Sequence, residues 1–275
     1  MPRRLTIATS GAIIMSDVGR LSCLMWPGIS AVEIGSLSTE EDLLAVMDAV
    51  AEMRIAWGMH MPLWRSGPHR VPMAAAGLSA VEARSLREDM ALGARHHASY
   101  ALAHAPWLPD HSLPARDAKA MVQQTMRFLA DLQREHGVPV TLELKLGLHR
   151  DPGVLAYLLA DPQGFLDLTD LTLCLDTGDW LLACEALHLE PVAAFEPFAA
   201  STAVIHVHAV ERGFGSYLWK PIHPSDPDAA PVRRLCQLAL SRRSDLTVVF
   251  EHTPHLDPGP DYDLKGYRWL LSELL

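Results

Sequence analysis

Residues 171–180 read LTLCLDTGDW, an apolar run that ends at two aspartates three positions apart. Successive side chains of a β-strand point to opposite faces. Leu173 and Leu175 would therefore share one face, while Cys174 and Asp176 share the other. The pattern predicts a buried strand whose last residue, Asp176, presents a carboxylate to a polar site.

Segments of this kind recur along the whole chain and alternate with segments of helical periodicity. The predicted strands cover residues 4–10, 29–35, 55–61, 99–105, 139–145, 171–176, 202–208 and 246–251. The predicted helices cover residues 39–53, 79–97, 115–136, 153–160, 179–188, 230–242 and 262–274. Strands that alternate with helices predict parallel β structure. At this length they predict an α/β protein with one (β/α)8 TIM-barrel domain over residues 1–275. The segment 209–229, rich in Gly and Pro, is predicted to be a long functional loop.

Composition narrows the class of protein. The chain has 275 residues, is 49% hydrophobic and carries a formal net charge of −10. Without a Lys/Arg-rich stripe, a general nucleic-acid binder or a protein of acidic membranes is not expected. The four cysteines form no CxxC pair, which favours a reduced, cytoplasmic protein without disulfides. No apolar run reaches the roughly 18–20 residues that span a bilayer.

Histidines and carboxylates stand at the ends of six predicted strands. These residues are His60, His104, Glu143, Asp176, the pair His206 and His208, and Glu251. The carboxyl ends of all strands meet at one mouth of a barrel, where barrel enzymes carry their chemistry. Crowded carboxylates repel one another unless cations or protons intervene, and mixed His and carboxylate ligands suit Zn²⁺, Mn²⁺ or Fe²⁺. The sequence therefore predicts a divalent-metal site. GxSxG, GxxxxGK[ST] and a glycine fingerprint after the first strand are all missing from it.

In the order and spacing of these histidines and carboxylates, the chain resembles the xylose-isomerase-like barrel superfamily. This superfamily includes sugar phosphate isomerases and epimerases and the family-2 AP endonucleases (endonuclease IV type). The resemblance runs strand by strand over nearly the whole chain. The motifs that carry it are HMPLW at 60–64, HAPW at 104–107, LELKLG at 142–147, LDTGDW at 175–180, HVHAVER at 206–212 and FEHTP at 250–254.

The resemblance implies two alternative metal sites. The sugar isomerases and epimerases need one ion, for which Glu143, Asp176, His208 and Glu251 would serve. The nucleases add histidines on strands three and four and another about fifteen residues after the strand-seven ligand. Here these are His60, His104 and His223. The additional histidines favour the multinuclear, phosphoester-cleaving branch, with one to three ions of Mn, Zn, Fe or Co per chain and two favoured.

Two departures from the nuclease pattern limit the number of ions. Asp179 stands where the nucleases have a histidine, and Pro221 stands where they have an aspartate. As a ligand, Asp179 would favour a harder ion such as Mn²⁺. The alternative is that Asp179 only caps the following helix. Of the two strand-seven histidines, His208 lies nearer the mouth and is the preferred ligand, while His206 supports it.

The expected activity is hydrolysis of a phosphodiester in a small, phosphorylated substrate. One ion would lower the pKa of a bound water that attacks phosphorus, and the other would stabilise the leaving oxygen. Glu143, Glu251 and His206 are the predicted catalytic residues. Predicted substrate contacts on the rim are Trp64, Arg65, Trp107, Lys145, Trp219 and Lys220. The superfamily includes enzymes that cleave the nucleotide loop of cobamides, which makes that loop the most concrete candidate.

Two other functions stay open at this point. In a sugar or polyol isomerase or epimerase, Glu143 and Glu251 would transfer protons on either side of one ion. The second alternative is a metal-dependent binding module on a degenerate barrel. The sequence does not decide the oligomeric state.

Overall fold

Eight parallel strands close into a barrel in the order β1-β10-β7-β6-β5-β4-β3-β2. The computed structural model describes residues 4–10, 21, 25–64, 79–106, 115–146, 152–168, 170–213, 216–251 and 260–275. The barrel strands are β1 (Arg4–Ser10), β2 (Ala31–Ile34), β3 (Ala56–His60), β4 (Ala101–His104), β5 (Val140–Leu144), β6 (Thr172–Asp176), β7 (Thr202–Val207) and β10 (Asp245–Phe250). The predicted (β/α)8 TIM barrel is confirmed.

Helices surround the barrel. Those described are α1 (Glu40–Met53), α2 (Ala80–Arg95), α3 (Ala115–His136), α4 (Gly153–Ala160), α5 (Pro162–Leu166), α6 (Thr177–Leu187), α7 (Pro191–Phe195), α8 (Ala229–Arg242) and α9 (Pro260–Leu274). Local signals define their starts. Thr39, for example, accepts a hydrogen bond from the Asp42 backbone N–H, and the Asp42 side chain accepts one from the Thr39 backbone N–H. No helix in the described ranges is long and apolar enough to cross a membrane.

The strands present their aliphatic side chains to the helices and their smaller or polar side chains to the barrel interior. Leu142 and Leu144 of β5 pack in the large core under the helices. Cys174 of β6 and Val249 of β10 belong instead to a second, small cluster inside the barrel. The alternation predicted from the sequence is confirmed, and it aims the polar residue at the end of each strand towards the mouth.

One local prediction and one alternative were wrong. Residues 209–229 are not a continuous loop, because they contain an antiparallel hairpin of β8 (Ala209–Gly213) and β9 (Ser216–Lys220). The residue that caps α6 is Asp176 rather than Asp179. Asp176 Oδ1 accepts a hydrogen bond from the Asp179 N–H at 2.8 Å, so α6 begins at Thr177, directly after β6. A cap needs extended backbone, which the last residue of a strand already has.

Candidate metal centre

Two histidines and a glutamate from three neighbouring strands meet on one side of the barrel mouth. His104 Nε2 lies 2.9 Å from Glu143 Oε2, and His60 Nε2 lies 3.7 Å from the same oxygen. The two Nε2 atoms are 3.4 Å apart. His104 and Glu143 are adjacent because they are paired in the parallel register of β4 and β5. Burial lowers the pKa of His104, which favours the neutral imidazole that metal ions bind.

Glu143 is fully buried and is held in its charged form by its neighbours. Lys145 Nζ lies 3.2 Å from Glu143 Oε1. Burial would raise the pKa of the Glu143 carboxyl, yet Lys145 and His104 hold that pKa well below its usual range. Burial likewise works against the charge of Lys145, but Glu143, Asp179 and Asp176 raise the pKa of its ammonium group well above the ordinary value. The pair is therefore ionised at neutral pH.

His208 and Asp176 face each other on the next part of the rim. His208 Nε2 lies 3.0 Å from Asp176 Oδ1, and both side chains are buried. Thr177 holds the backbone of His208, because its hydroxyl donates to the His208 carbonyl and accepts from the His208 N–H. The Trp219 ring, carried by β9, lies against the His208 ring with 4.6 Å between centroids. The hairpin that replaces the predicted loop thus covers one metal-ligand candidate.

His206 lies deeper in the barrel and connects several carboxylates. Its Nδ1 atom is 2.7 Å from Glu251 Oε2 and 3.7 Å from Glu143 Oε1. Its Nε2 atom is 3.0 Å from Glu33 Oε1. Burial would lower the pKa of His206, but Cys174, Glu33 and Glu251 raise it well above its ordinary value. Burial likewise would raise the pKa of the Glu251 carboxyl, but His206 lowers it strongly.

Asp179 is buried beside this group but turns towards the backbone of another strand. Its Oδ2 accepts a hydrogen bond from the Leu146 N–H at 3.1 Å, just beyond β5. Burial and the nearby Asp176 carboxylate raise the pKa of Asp179 well above its usual range. Asp179 Oδ2 therefore holds the backbone at Leu146, directly after β5.

The donor set fits divalent ions. Two groups of side chains hold ligand atoms within 4.8 Å of one another, and Glu143 belongs to both: His60, His104 and Glu143, and Glu143, Asp176 and His206. Buried Glu143 Oε2, His206 Nδ1 and His208 Nε2 lack hydrogen-bond partners of suitable geometry among the described residues. Buried donor atoms that lie close together without bonding to each other fit a common ion, which makes these two groups candidate metal sites.

Two of the predicted residues near β9 make other contacts. The ring of His223 stacks on Tyr262 at 4.3 Å, and its Nδ1 lies 2.6 Å from Ser225 Oγ. His223 is in neither of the two ligand groups found among the described residues. Lys220 Nζ lies 2.9 Å from Asp226 Oδ1, so an adjacent carboxylate already balances its charge.

Of the other predicted rim residues, some contact the candidate site, one packs against the main core, and two lie outside the described residues. Trp64 is half-buried, packs against the main core and pairs with Leu37 through an isolated backbone bridge. Trp219 and Lys145 reach the metal-ligand candidates as described above. Arg65 and Trp107 lie outside the described residues.

The sequence analysis missed Glu33, a buried carboxylate on β2 beside His206. It lines a cavity of about 180 Å³ at the mouth together with His60, His104, Lys145 and Glu251. One signal was available, because a lone glutamate inside the apolar segment AVEI is unusual for a buried strand. Asp228 was missed as well. It accepts a hydrogen bond from the Val210 N–H and pairs with Arg212, which anchors β8, the strand paired with Trp219 in the hairpin.

Solved structures with the same fold cover almost the whole chain. A D-tagatose 3-epimerase-like protein superposes with a TM-score of 0.71 at 12% identity, covering 98% of this chain and 97% of that one. A D-allulose 3-epimerase from Methylomonas sp. gives 0.68 at 13% identity, covering 99% and 98%. Endonuclease IV from Thermus thermophilus gives 0.57 at 17% identity, covering 99% of both chains. No protein-family model and no curated protein sequence matches the chain.

The likeness to these structures agrees with the predicted barrel, and at such low identities it shows the fold alone. Sugar epimerases and an endonuclease appear side by side among them. The choice between the corresponding functions therefore depends on the site itself.

Proposed function

We propose that this protein is a divalent-metal-dependent hydrolase that cleaves a phosphodiester in a small molecule at the barrel mouth. The observation that carries the proposal is the meeting of His60 and His104 at Glu143, with His104 Nε2 2.9 Å from the carboxylate. A single-ion epimerase site uses Glu143, Asp176, His208 and Glu251. The β3 and β4 histidines are additional to that set, and a second ion beside Glu143 would give them a role as ligands.

Two ions per chain are proposed, with Glu143 shared between them. His60, His104 and Glu143 would hold the first ion. The second group, Glu143, Asp176 and His206, would hold the second ion together with Glu251, and His208, the ligand preferred from the sequence, is the alternative histidine. A third ion would need His223, whose ring is packed against Tyr262. When bound, such a pair of ions supplies a water of lowered pKa and neutralises the negative charge that builds up on the phosphoryl oxygens.

The protein's own groups would orient the reaction. Lys145 keeps a positive charge beside Glu143 at the mouth cavity, where a phosphate oxygen would enter. Glu251 Oε2 lies 2.7 Å from His206 Nδ1 without a hydrogen bond of suitable geometry, so the two side chains would hold the second ion together. Glu143 and Glu251 would also orient the attacking water.

A small substrate with a planar or apolar part suits the rim. Trp219 offers a half-buried indole that packs at a tilt against His208, and Trp64 and Trp107 are the other proposed contacts. Arg65 and Lys220 are proposed phosphate contacts, although Lys220 would first have to leave Asp226. The nucleotide loop of a cobamide combines a phosphodiester, a base and a large apolar ring, and it is our first substrate candidate. The net charge of −10 argues against DNA.

A metal-dependent sugar or polyol epimerase is the second candidate. Glu143 and Glu251 both approach His206 Nδ1, at 3.7 and 2.7 Å, so the two carboxylates face a common space. Such a pair could remove and return protons at one carbon of a sugar bound to a single ion. The likeness in fold to D-tagatose and D-allulose epimerases supports this alternative.

Metal stoichiometry combined with two assays separates the candidates. The protein is loaded with Mn²⁺ or Zn²⁺, its metal content is measured, and it is assayed with bis(p-nitrophenyl) phosphate and with a panel of ketoses. For a hydrolase, His104→Ala should lower the content from two ions to one and reduce diester cleavage about 100-fold or more. His188→Asn, at an exposed histidine that ends α6, is the control. One ion in the wild type, with ketose epimerisation that survives His104→Ala, would contradict the hydrolase.

A further inference from the structure

Glu33 and Tyr100 form a buried hydrogen-bonded chain with His206 across the inside of the barrel. The Tyr100 hydroxyl donates to Glu33 Oε2 at 2.7 Å. His206 Nε2 lies 3.1 Å from the same oxygen and 3.0 Å from Oε1. Glu33 is 1% exposed and His206 is fully buried, so water does not compete for these contacts.

Within this hydrogen-bonded chain, Glu33 contacts only the Nε2 atom of the His206 ring. The other nitrogen, Nδ1, points to the site and lies 2.7 Å from Glu251 Oε2. Both oxygens of Glu33 are within 3.1 Å of His206, and one also receives the Tyr100 hydroxyl. Glu33 Oε2 is therefore held by Tyr100 and His206, whereas the buried Oε1 atom, 3.0 Å from His206 Nε2, has no hydrogen-bond partner of suitable geometry among the described residues.

We propose that Glu33, held by Tyr100, is the positioning residue that sets the ring of His206 and thereby the affinity of the site for metal ions. A carboxylate on one imidazole nitrogen fixes the ring plane and makes the opposite nitrogen a better donor to a cation. The inference rests on the metal site of the proposed function, but not on which reaction that site catalyses.

The barrel interior makes room for this chain. Tyr100 precedes β4 and shares the small inner cluster with Ala8 and Ala31, whose short side chains leave space for its ring. Gly58 on β3 lies against it, because a Cβ atom there would come within 2.6 Å of the Tyr100 hydroxyl oxygen. A full-sized side chain at position 58 would displace Tyr100 from Glu33.

The first test measures metal affinity. Mn²⁺ and Co²⁺ are titrated into metal-free wild type, Glu33→Gln and Tyr100→Phe, and the Co²⁺ absorption spectrum reports the ligand geometry. We expect Glu33→Gln to weaken binding about 10–100-fold and to change the spectrum, because the amide can present either an oxygen or an NH₂ group to His206. Tyr100→Phe should also weaken metal binding and change the spectrum, but by less than Glu33→Gln does.

Matched controls exclude a general effect of altering buried polar groups. Glu82→Gln makes the same change at a buried glutamate that accepts a hydrogen bond from the backbone N–H of Ser79, the N-cap of α2. Tyr267→Phe removes a buried hydroxyl that donates to the Pro27 carbonyl at 2.7 Å. Both controls should bind metal as the wild type does. Equal affinity of Glu33→Gln and wild type would overturn the proposal, as would an equal loss in both controls.

A second test needs no metal. Long-range ¹H–¹⁵N spectra of histidine-labelled, metal-free protein report the ring nitrogens of His206, which His206→Gln assigns. Glu33→Gln should shift these resonances and speed the exchange of the Nε2 proton with solvent, whereas Tyr267→Phe should not. An unchanged Nε2 proton would contradict the positioning role. A wild type that binds no ion would instead contradict the proposed function.

Discussion

The same strands present carboxylates at the carboxyl end of the barrel interior and threonines at its amino end. At the carboxyl end, β5, β6 and the residue after β10 present Glu143, Asp176 and Glu251, and histidines complete the set. At the amino end, the same three strands present threonines around a cavity of about 370 Å³. The small inner cluster, which includes Leu102 and Val249, separates the two ends. The ionisable groups therefore converge at the carboxyl end, whereas the larger of these two cavities lies at the amino end.

Glu143→Gln should have the largest effect, because Glu143 belongs to both groups of ligand candidates. We expect activity on bis(p-nitrophenyl) phosphate to fall at least about 100-fold, more than the typical loss when only a supporting partner is changed. The metal content measured after loading should fall as well. A variant with full metal content and near-normal activity would remove Glu143 from the centre.

Gly178→Ala should disturb the carboxyl end through packing alone. A Cβ atom at residue 178 would lie 2.5 Å from His208 Cε1 and 2.7 Å from Trp219 Cζ3. Displacing His208 should reduce metal affinity and activity about 10–100-fold. Gly93→Ala is the control, since the nearest atom to its Cβ would be the flexible end of Met59, at 3.0 Å, and Ala98 Cβ would lie at an ordinary contact distance of 3.5 Å. Wild-type affinity in Gly178→Ala would show that the position of His208 does not matter.

Asp179→Asn should stabilise the metal-free protein, and more so at higher pH. Burial and Asp176 raise the pKa of Asp179 in the folded state, which means that they disfavour its charged form. The folded protein therefore loses stability as pH rises from the unfolded-state pKa through the folded-state pKa and the carboxyl loses its proton. At pH 8, with EDTA present, we expect Tm to increase by about 2–4 °C, which corresponds to about 1 kcal/mol. The difference from wild type should shrink towards pH 4, as thermal melts across this range would show. A lower Tm for Asp179→Asn than for wild type at pH 8 would mean that the neighbours of Asp179 do not disfavour its charged carboxylate.

Thr141→Val should have the smallest effect on function, although Thr141 is only two residues from Glu143 on the same face of β5. Its hydroxyl lies 2.9 Å from the Thr172 hydroxyl at the amino end of the barrel. Losing that hydrogen bond should cost about 1 kcal/mol in urea unfolding. Metal affinity and activity should stay unchanged. A loss of either would show that the two ends of the barrel are coupled.

Local patterns in the sequence were sufficient for most of the architecture. Predicted strands 4–10 and 171–176 agree with β1 and β6 to within one residue, and predicted helix 115–136 agrees with α3. The hairpin at 209–220 was missed because its Gly-rich turn and short strands read as loop chemistry. Asp179 was weighed as a cap because a cap is expected just before a helical pattern, whereas here the helix begins directly after the last residue of the strand.

The sequence by itself determined the barrel and the face on which Glu143, Asp176 and Glu251 lie, because side-chain alternation is a local property of each strand. Tertiary structure alone decided which of these groups meet. His60 and His104 are 44 residues apart, and His206 and Glu33 are 173 residues apart, yet both pairs are in contact. Such contacts depend on how the strands align when the barrel closes, and no local periodicity encodes that alignment.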